Sequence, residues 1–303
     1  MTGKAEEYHK TLDMLKQIDA PVKIVIAGNH DLSLDREFVL SHTDDQYDNR
    51  QPLMSAEQAQ QRWQDVREIW TSPKGRAKQE GVTFLDEGVH LITLANGASV
   101  NVYASPYTPE FCDWAFAYER YEDRFNEKGL SLQDAHNIAI NPLPRRSGSA
   151  RPIDIAVTHG PAWLRLDLCS SGDSAGCPHL LQALMRARPL IYCCGHIHEA
   201  WGCERVTWSD NADSVDLSKT SIRQFRKSGW REAIASKGEA VVDLCDVDQD
   251  TSTQRAVYCD LSSEGAHIRA GKETAFINAS IMDTRYRPSN APWLVDIDLL
   301  KDE

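Results

Sequence analysis

Residues 22 to 31 read Val22-Lys23-Ile24-Val25-Ile26-Ala27-Gly28-Asn29-His30-Asp31. The apolar run Val22, Ile24, Val25 and Ile26 predicts a short, fully buried strand. It stops at Ala27-Gly28, and three polar side chains follow at once. Open α/β sheets build their sites at the carboxyl ends of strands, where the chain leaves the sheet. Taken alone, Gly28-Asn29-His30-Asp31 reads better as a polar turn. Two later stretches of the same design decide between the readings.

The first is Ile153-Asp154-Ile155-Ala156-Val157-Thr158, a buried-strand pattern ending in His159-Gly160-Pro161. The second is Leu190-Ile191-Tyr192-Cys193-Cys194, ending in Gly195-His196-Ile197-His198-Glu199. Three apolar strands thus end in histidines accompanied by glycine. Neutral imidazole is the commonest protein ligand for transition metals, and the Asn29 amide oxygen is a hard ligand beside it. Alternate residues of an extended segment point the same way, which sets His196 and His198 toward one cluster. Glycine lets backbone pass close to an ion or anion. One histidine at a strand end is ordinarily structural; three matching strand ends point to a metal site. His9, His42, His90, His136, His179 and His267 lack this context and receive no role.

Working outward, residues 4 to 18 predict a helix with Tyr8, Leu12, Leu15 and Ile18 on one face, closed before Pro21. After Asp31 a short helix starts, with Ser33 or Asp35 as its cap. Residues 41 to 54 are polar and irregular. Residues 55 to 70 return to helical spacing through Ala59, Trp63, Val66 and Trp70. Val82–Leu85, His90–Leu94 and Ser99–Tyr103 predict a meander, with Asn96-Gly97 turning between the last two strands. Residues 119 to 151 are charged, then rich in Pro, Arg and Ser, and predict a partly disordered surface insertion. Residues 178 to 187 form a helix with Pro178 in its first turn. Residues 203 to 272 predict a second insertion holding two strand-like runs, from Glu239 and from Arg255. Thr274–Ala279 and Trp293–Asp298 close the chain as strands.

Composition bounds the function. The 303 residues carry a net charge of −12, which implies no broad basic face and argues against a nucleic-acid duplex as the primary partner. An acidic protein still binds phosphates where metal cations neutralise them. No apolar run has membrane-spanning length and no signal peptide stands at Met1, which predicts a cytoplasmic protein without a membrane partner. The eight cysteines have irregular spacing and no Cys-x-x-Cys pair, so free, mostly buried thiols are expected. Cys193 and Cys194 are adjacent on a strand and face opposite ways, which makes them core residues rather than a zinc pair.

Gly28-Asn29-His30-Asp31, Thr158-His159-Gly160-Pro161 and Gly195-His196-Ile197-His198-Glu199 resemble, in order, the last three motifs of calcineurin-like metallophosphoesterases. Lys23–Asp31, Asp154–Pro161, His198-Glu199-Ala200-Trp201-Gly202 and Phe276-Ile277-Asn278-Ala279-Ser280 narrow the likeness to the small branch related to class III cyclic-nucleotide phosphodiesterases. The likeness covers residues 1 to 118, 152 to 203 and 273 to 298. It implies an α/β fold, a four-layer αββα sandwich of two mixed sheets, forming one domain over 1–303. It also implies two divalent ions (Mn, Fe, Zn or Co) and a small phosphoester or nucleotide substrate. By the same resemblance Asn29, His159 and His196 hold one metal and His198 belongs to the other. His30 faces the phosphate and protonates the leaving oxygen, and Asp31 orients His30. A metal-activated water attacks phosphorus.

Two earlier family motifs, Asp-x-His and the Gly-Asp whose aspartate bridges the metals, do not precede Gly28. Gly172-Asp173 lies far away in a loop and does not replace them. Ligands for mainly one metal are therefore retained, and the fold is expected to lack its first strands. Thr2-Gly3 stands where the turn after the bridging aspartate belongs, so the expectation is an incomplete gene start or a fragment. The leading function is a metal-dependent phosphoric ester hydrolase, probed as a phosphodiesterase. The alternative is a catalytically impaired phosphate- or nucleotide-binding protein, and the residue pattern by itself also allows metal-dependent hydrolysis of another bond. Oligomeric state is left open.

Overall fold

A computed structural model describes residues 3–43, 54–146, 151–210, 216–229, 239–240 and 256–299. The chain forms two compact units, Met1–Asp86 with Ser105–Tyr118, and Glu87–Ala104 with Glu119–Glu303. Both mix helices and strands, which is the α/β class expected. Among the described residues no helix is long and apolar enough to cross a membrane.

In the first unit, helix Ala5–Lys16 buries Tyr8 and Leu12. Ile18 lies beyond its end and is exposed, so the expected apolar face is one turn shorter. The strand predicted over 22 to 26 is Lys23–Val25, paired in parallel with Val82–Phe84. It is not fully buried: Ile24 is 39% exposed. A two-stranded sheet gives each strand one neighbour only, which leaves its apolar residues partly uncovered. The same pairing corrects the meander, because Val82–Phe84 belongs here and not beside the two strands that follow it. Asp35, not Ser33, caps helix Arg36–Ser41, accepting from the Glu37 and Phe38 amides. Ser55 and Gln58 make a reciprocal capping box for helix Ala56–Thr71, which buries Ala59, Val66 and Trp70.

The second unit is built on a seven-stranded mixed sheet in the order Glu239–Ala240, Gly202–Thr207, Glu273–Asn278, Ile191–Cys194, Ile155–Thr158, Ser99–Ser105, Gly88–Thr93. The last two form an antiparallel hairpin. Gly97 turns it at φ +83, a conformation glycine adopts without strain. Ile155–Thr158, helix Pro178–Ala187 and Ile191–Cys194 make a βαβ unit with the two strands adjacent and parallel. Leu180, Leu181, Ala183, Leu184 and Met185 of that helix are all buried. Gly176 enters it so closely that a Cβ would stand 2.5 Å from the Ala162 carbonyl oxygen.

Two expectations fail in this unit. Residues 119–146 are ordered, with Phe125, Leu132 and Leu143 in the core. Their polar groups find partners elsewhere in the unit: Asn126 Nδ2 donates to the His179 carbonyl at 2.9 Å, and Gln182 Nε2 to the Leu130 carbonyl at 2.8 Å. Residues 147–150 lie outside the described set. The second insertion does not start at Cys203, since Gly202–Thr207 is an internal strand paired antiparallel with Glu273–Asn278. The Glu239 run is described for Glu239–Ala240 alone. The Arg255 run becomes strand Val257–Asp260, parallel to Trp293–Asp296.

Candidate functional site

The candidate residues fall in both units, Asn29, His30 and Asp31 in the first and His159, His196 and His198 in the second. In the first unit the chain leaves its strand through a tight turn. The Asp31 amide donates to the Gly28 carbonyl at 2.9 Å, and the Gly28 amide donates to Asp31 Oδ2 at 2.8 Å. Burial lifts the Asp31 carboxyl to about 6, against the pull of that Gly28 bond. Asp31 therefore locks the turn that presents Asn29, which is buried, and His30. The His30 ring lies 4.3 Å from the Trp114 ring, centroid to centroid, tilted by 39°.

In the second unit the register of Ile155–Thr158 against Ile191–Cys194 brings the two strand ends level. The Gly195 amide donates to the His159 carbonyl at 3.1 Å. His159 and His196 then emerge side by side, ring centroids 4.9 Å apart and inclined by 65°. Thr158 Oγ1 donates to the Gly160 carbonyl at 2.7 Å and lies 2.8 Å from the buried Tyr192 hydroxyl, which ties the His159 turn to the core. His196 has φ +66, the left-handed region that costs a non-glycine residue energy and is found at functional turns.

His198 stands in the following 3₁₀ turn, His198–Ala200. Its Nδ1 lies 3.1 Å from the Asp283 carbonyl oxygen. A carbonyl only accepts, so Nδ1 carries the proton and Nε2 is the nitrogen left to meet a metal. That is the tautomer a metal-ligating histidine adopts when its other nitrogen is anchored. Asn278 joins these turns from the next strand. Its Nδ2 donates to the Ile197 and Leu166 carbonyls at 2.9 and 3.0 Å, and its Oδ1 accepts from the Ser280 amide at 3.0 Å. Beyond Ile197 a cavity of about 510 Å³ is lined by Leu164, Leu166, Asp167, Glu199 and Trp201.

These donors fit a borderline divalent ion. Paired imidazoles with an anchored third are nitrogen ligands for Mn, Fe, Co or Zn. Among the described residues no three His, Cys, Asp or Glu side chains are grouped to hold an ion, so the match is to part of a coordination shell. The described cysteines are free, as expected. Cys193 is pushed up to about 11 by burial and packs against Ile191, Cys203 and Ile277.

A family model for calcineurin-like phosphoesterases matches residues 2–200. The chain belongs to this family. It is a family of metal-dependent phosphoesterases, generally with two metal ions. The chain is 30% identical over 209 residues to a protein of Emericella nidulans named "Probable rhamnogalacturonate lyase C", covering 68% of this chain and 15% of that one. It is 26% identical over 209 residues to UPF0046 protein T07D4.2 of Caenorhabditis elegans, covering 66% and 44%. It is 27% identical over 204 residues to human Metallophosphoesterase domain-containing protein 1, covering 66% and 52%. The match thus spans 15% to 52% of these relatives' own lengths.

The residue reading missed Asn278 and Asp283. Asn278 sits inside Phe276-Ile277-Asn278-Ala279-Ser280, which signals a strand end carrying a buried amide. Asp283 acts through its main-chain carbonyl, for which a side-chain pattern carries no signal.

Proposed function

We propose that this phosphoesterase hydrolyses a phosphodiester or a small nucleotide ester. The observation that supports it is the pair His159 and His196, emerging together from adjacent parallel strands in a chain of this family. Asn29 of the first unit and, in the second, His159 and His196 would each be metal ligands, and His198 would offer its Nε2. A bound ion supplies Lewis acidity toward phosphoryl oxygens and a water of lowered pKa. His30 protonates the leaving oxygen, a contribution worth roughly 10²- to 10⁴-fold for a positioned acid. Asp31 keeps His30 in place by closing the turn beneath it.

The test is turnover of bis-p-nitrophenyl phosphate with added manganese(II). Wild-type protein is expected to turn over, and His30→Ala and His196→Ala to lose about 100-fold or more. Absence of turnover in the wild type, with a nucleotide still bound, would replace catalysis by a binding role.

A further inference from the structure

One segment of the second unit touches the histidine cluster without belonging to any motif read from the sequence. Residues 281–290 form a closed, self-braced loop. Met282 bridges to Pro288, and the Asn290 amide donates to the Ile281 carbonyl at 3.0 Å. Asp283 organises the interior. Its Oδ1 accepts from the Arg285 and Arg287 amides at 2.8 and 3.0 Å, and its Oδ2 from the Arg287 guanidinium at 2.6 and 2.9 Å. The Asp283 carbonyl oxygen accepts twice, from the Tyr286 amide at 2.9 Å and from His198 Nδ1. One turn therefore orients His198 and fixes Tyr286 together.

Tyr286 is held at φ +57, a strained position for a tyrosine. Its ring meets the His198 ring at 5.5 Å and 85°, yet the residue is 67% exposed. Ile281 and Met282, in the same loop, are also exposed. Among the described residues the Arg285 guanidinium, one position before Tyr286 in the loop, has no ion-pair partner. A large aromatic residue in a strained conformation, in a loop braced by six hydrogen bonds to one aspartate and mostly open to solvent, is built to meet something flat.

We propose that Tyr286 is the specificity residue of the site, stacking against the planar aromatic part of the substrate, an aryl group or a nucleobase. The inference rests on the phosphoesterase reading above. Asp283 is a positioning residue that acts through Tyr286 and His198. Stacking of a base on one aromatic side chain typically changes affinity by about 5- to 100-fold.

Isothermal titration of the manganese-loaded protein with phenylphosphonate, adenosine 5′-monophosphate and methylphosphonate tests this without needing turnover. Tyr286→Ala is expected to weaken the two aromatic ligands by about 5- to 100-fold and to leave methylphosphonate unchanged. Tyr286→Phe, which keeps the ring, is expected to bind all three as wild type does. A larger loss for the nucleotide assigns the platform to a nucleobase, and a larger loss for phenylphosphonate to an aryl ester. Equal weakening of all three ligands, or no weakening, with a wild-type melting curve, overturns the stacking role and leaves the hydrolase reading standing. Failure of wild-type protein to bind any of the three removes both.

Discussion

His196 combines two demands at one position, a ligand nitrogen and a left-handed backbone. Replacing it separates them. His196→Ala loses the imidazole and keeps the strain, whereas His196→Gly loses the imidazole and releases the strain. The glycine variant is expected to be more stable than the alanine variant by about 1 kcal/mol in urea denaturation, with both equally poor in metal retention. The sequence shows a histidine after a glycine here; the positive φ is a property of the folded turn. Asn278 is the second residue of consequence. Fully buried, it satisfies two carbonyls and one amide that belong to three separate turns. Asn278→Ala strands those groups and is expected to cost about 3 kcal/mol, read as a lowered urea midpoint.

At the scale of elements, local chemistry and tertiary packing make separate contributions. Helix Ala56–Thr71 was legible because its apolar stripe repeats at 3.6 residues; the Ser55–Gln58 capping box that fixes its start is seen in the structure. Ser55→Ala removes the reciprocal cap and is expected to cost about 1 kcal/mol, measured by chemical denaturation. Helix Pro178–Ala187 was legible at both ends, but its burial on nearly every side was not. It crosses between two adjacent strands, and the ordered stretch 119–146 bonds to its polar side chains. Leu184→Ala in that setting is expected to cost about 3 kcal/mol, since little can collapse into the space. The stretch 119–146 itself was misread as partly disordered for a physical reason. Its sequence is polar, and the partners that satisfy those polar groups are 50 to 60 residues away.

Across the whole molecule the charge is −12, so carboxylates set the pH response. Glu204, on the internal strand Gly202–Thr207, is raised to about 7 by burial, although Arg165 Nη1 lies 3.2 Å away and pulls the other way. A raised carboxyl binds its proton more tightly in the folded state. Its contribution to stability is therefore full below its ordinary value of 4.5 and lost as pH rises through about 7. Urea unfolding at pH 5 and pH 8 is expected to show lower stability at the higher pH. Glu204→Gln should shrink that difference by at most about 3 kcal/mol.

What the sequence by itself determined are the quantities carried by contiguous residues: three strands that end in Asn29-His30, His159 and His196, the caps and stripes of the helices, and the family. Tertiary structure alone decided which strands are neighbours, and hence that His159 and His196 stand level. It decided that Val82–Phe84 pairs away from the hairpin, that the stretch 119–146 sends Phe125, Leu132 and Leu143 into the core, and that Asp283 orients His198 through a carbonyl. The division has one physical cause. Periodicity and capping are energies of residues a few positions apart. Strand register, burial and main-chain acceptors depend on partners as far as 112 residues away, as with Asn278 and Leu166, and exist only once the chain has closed on itself.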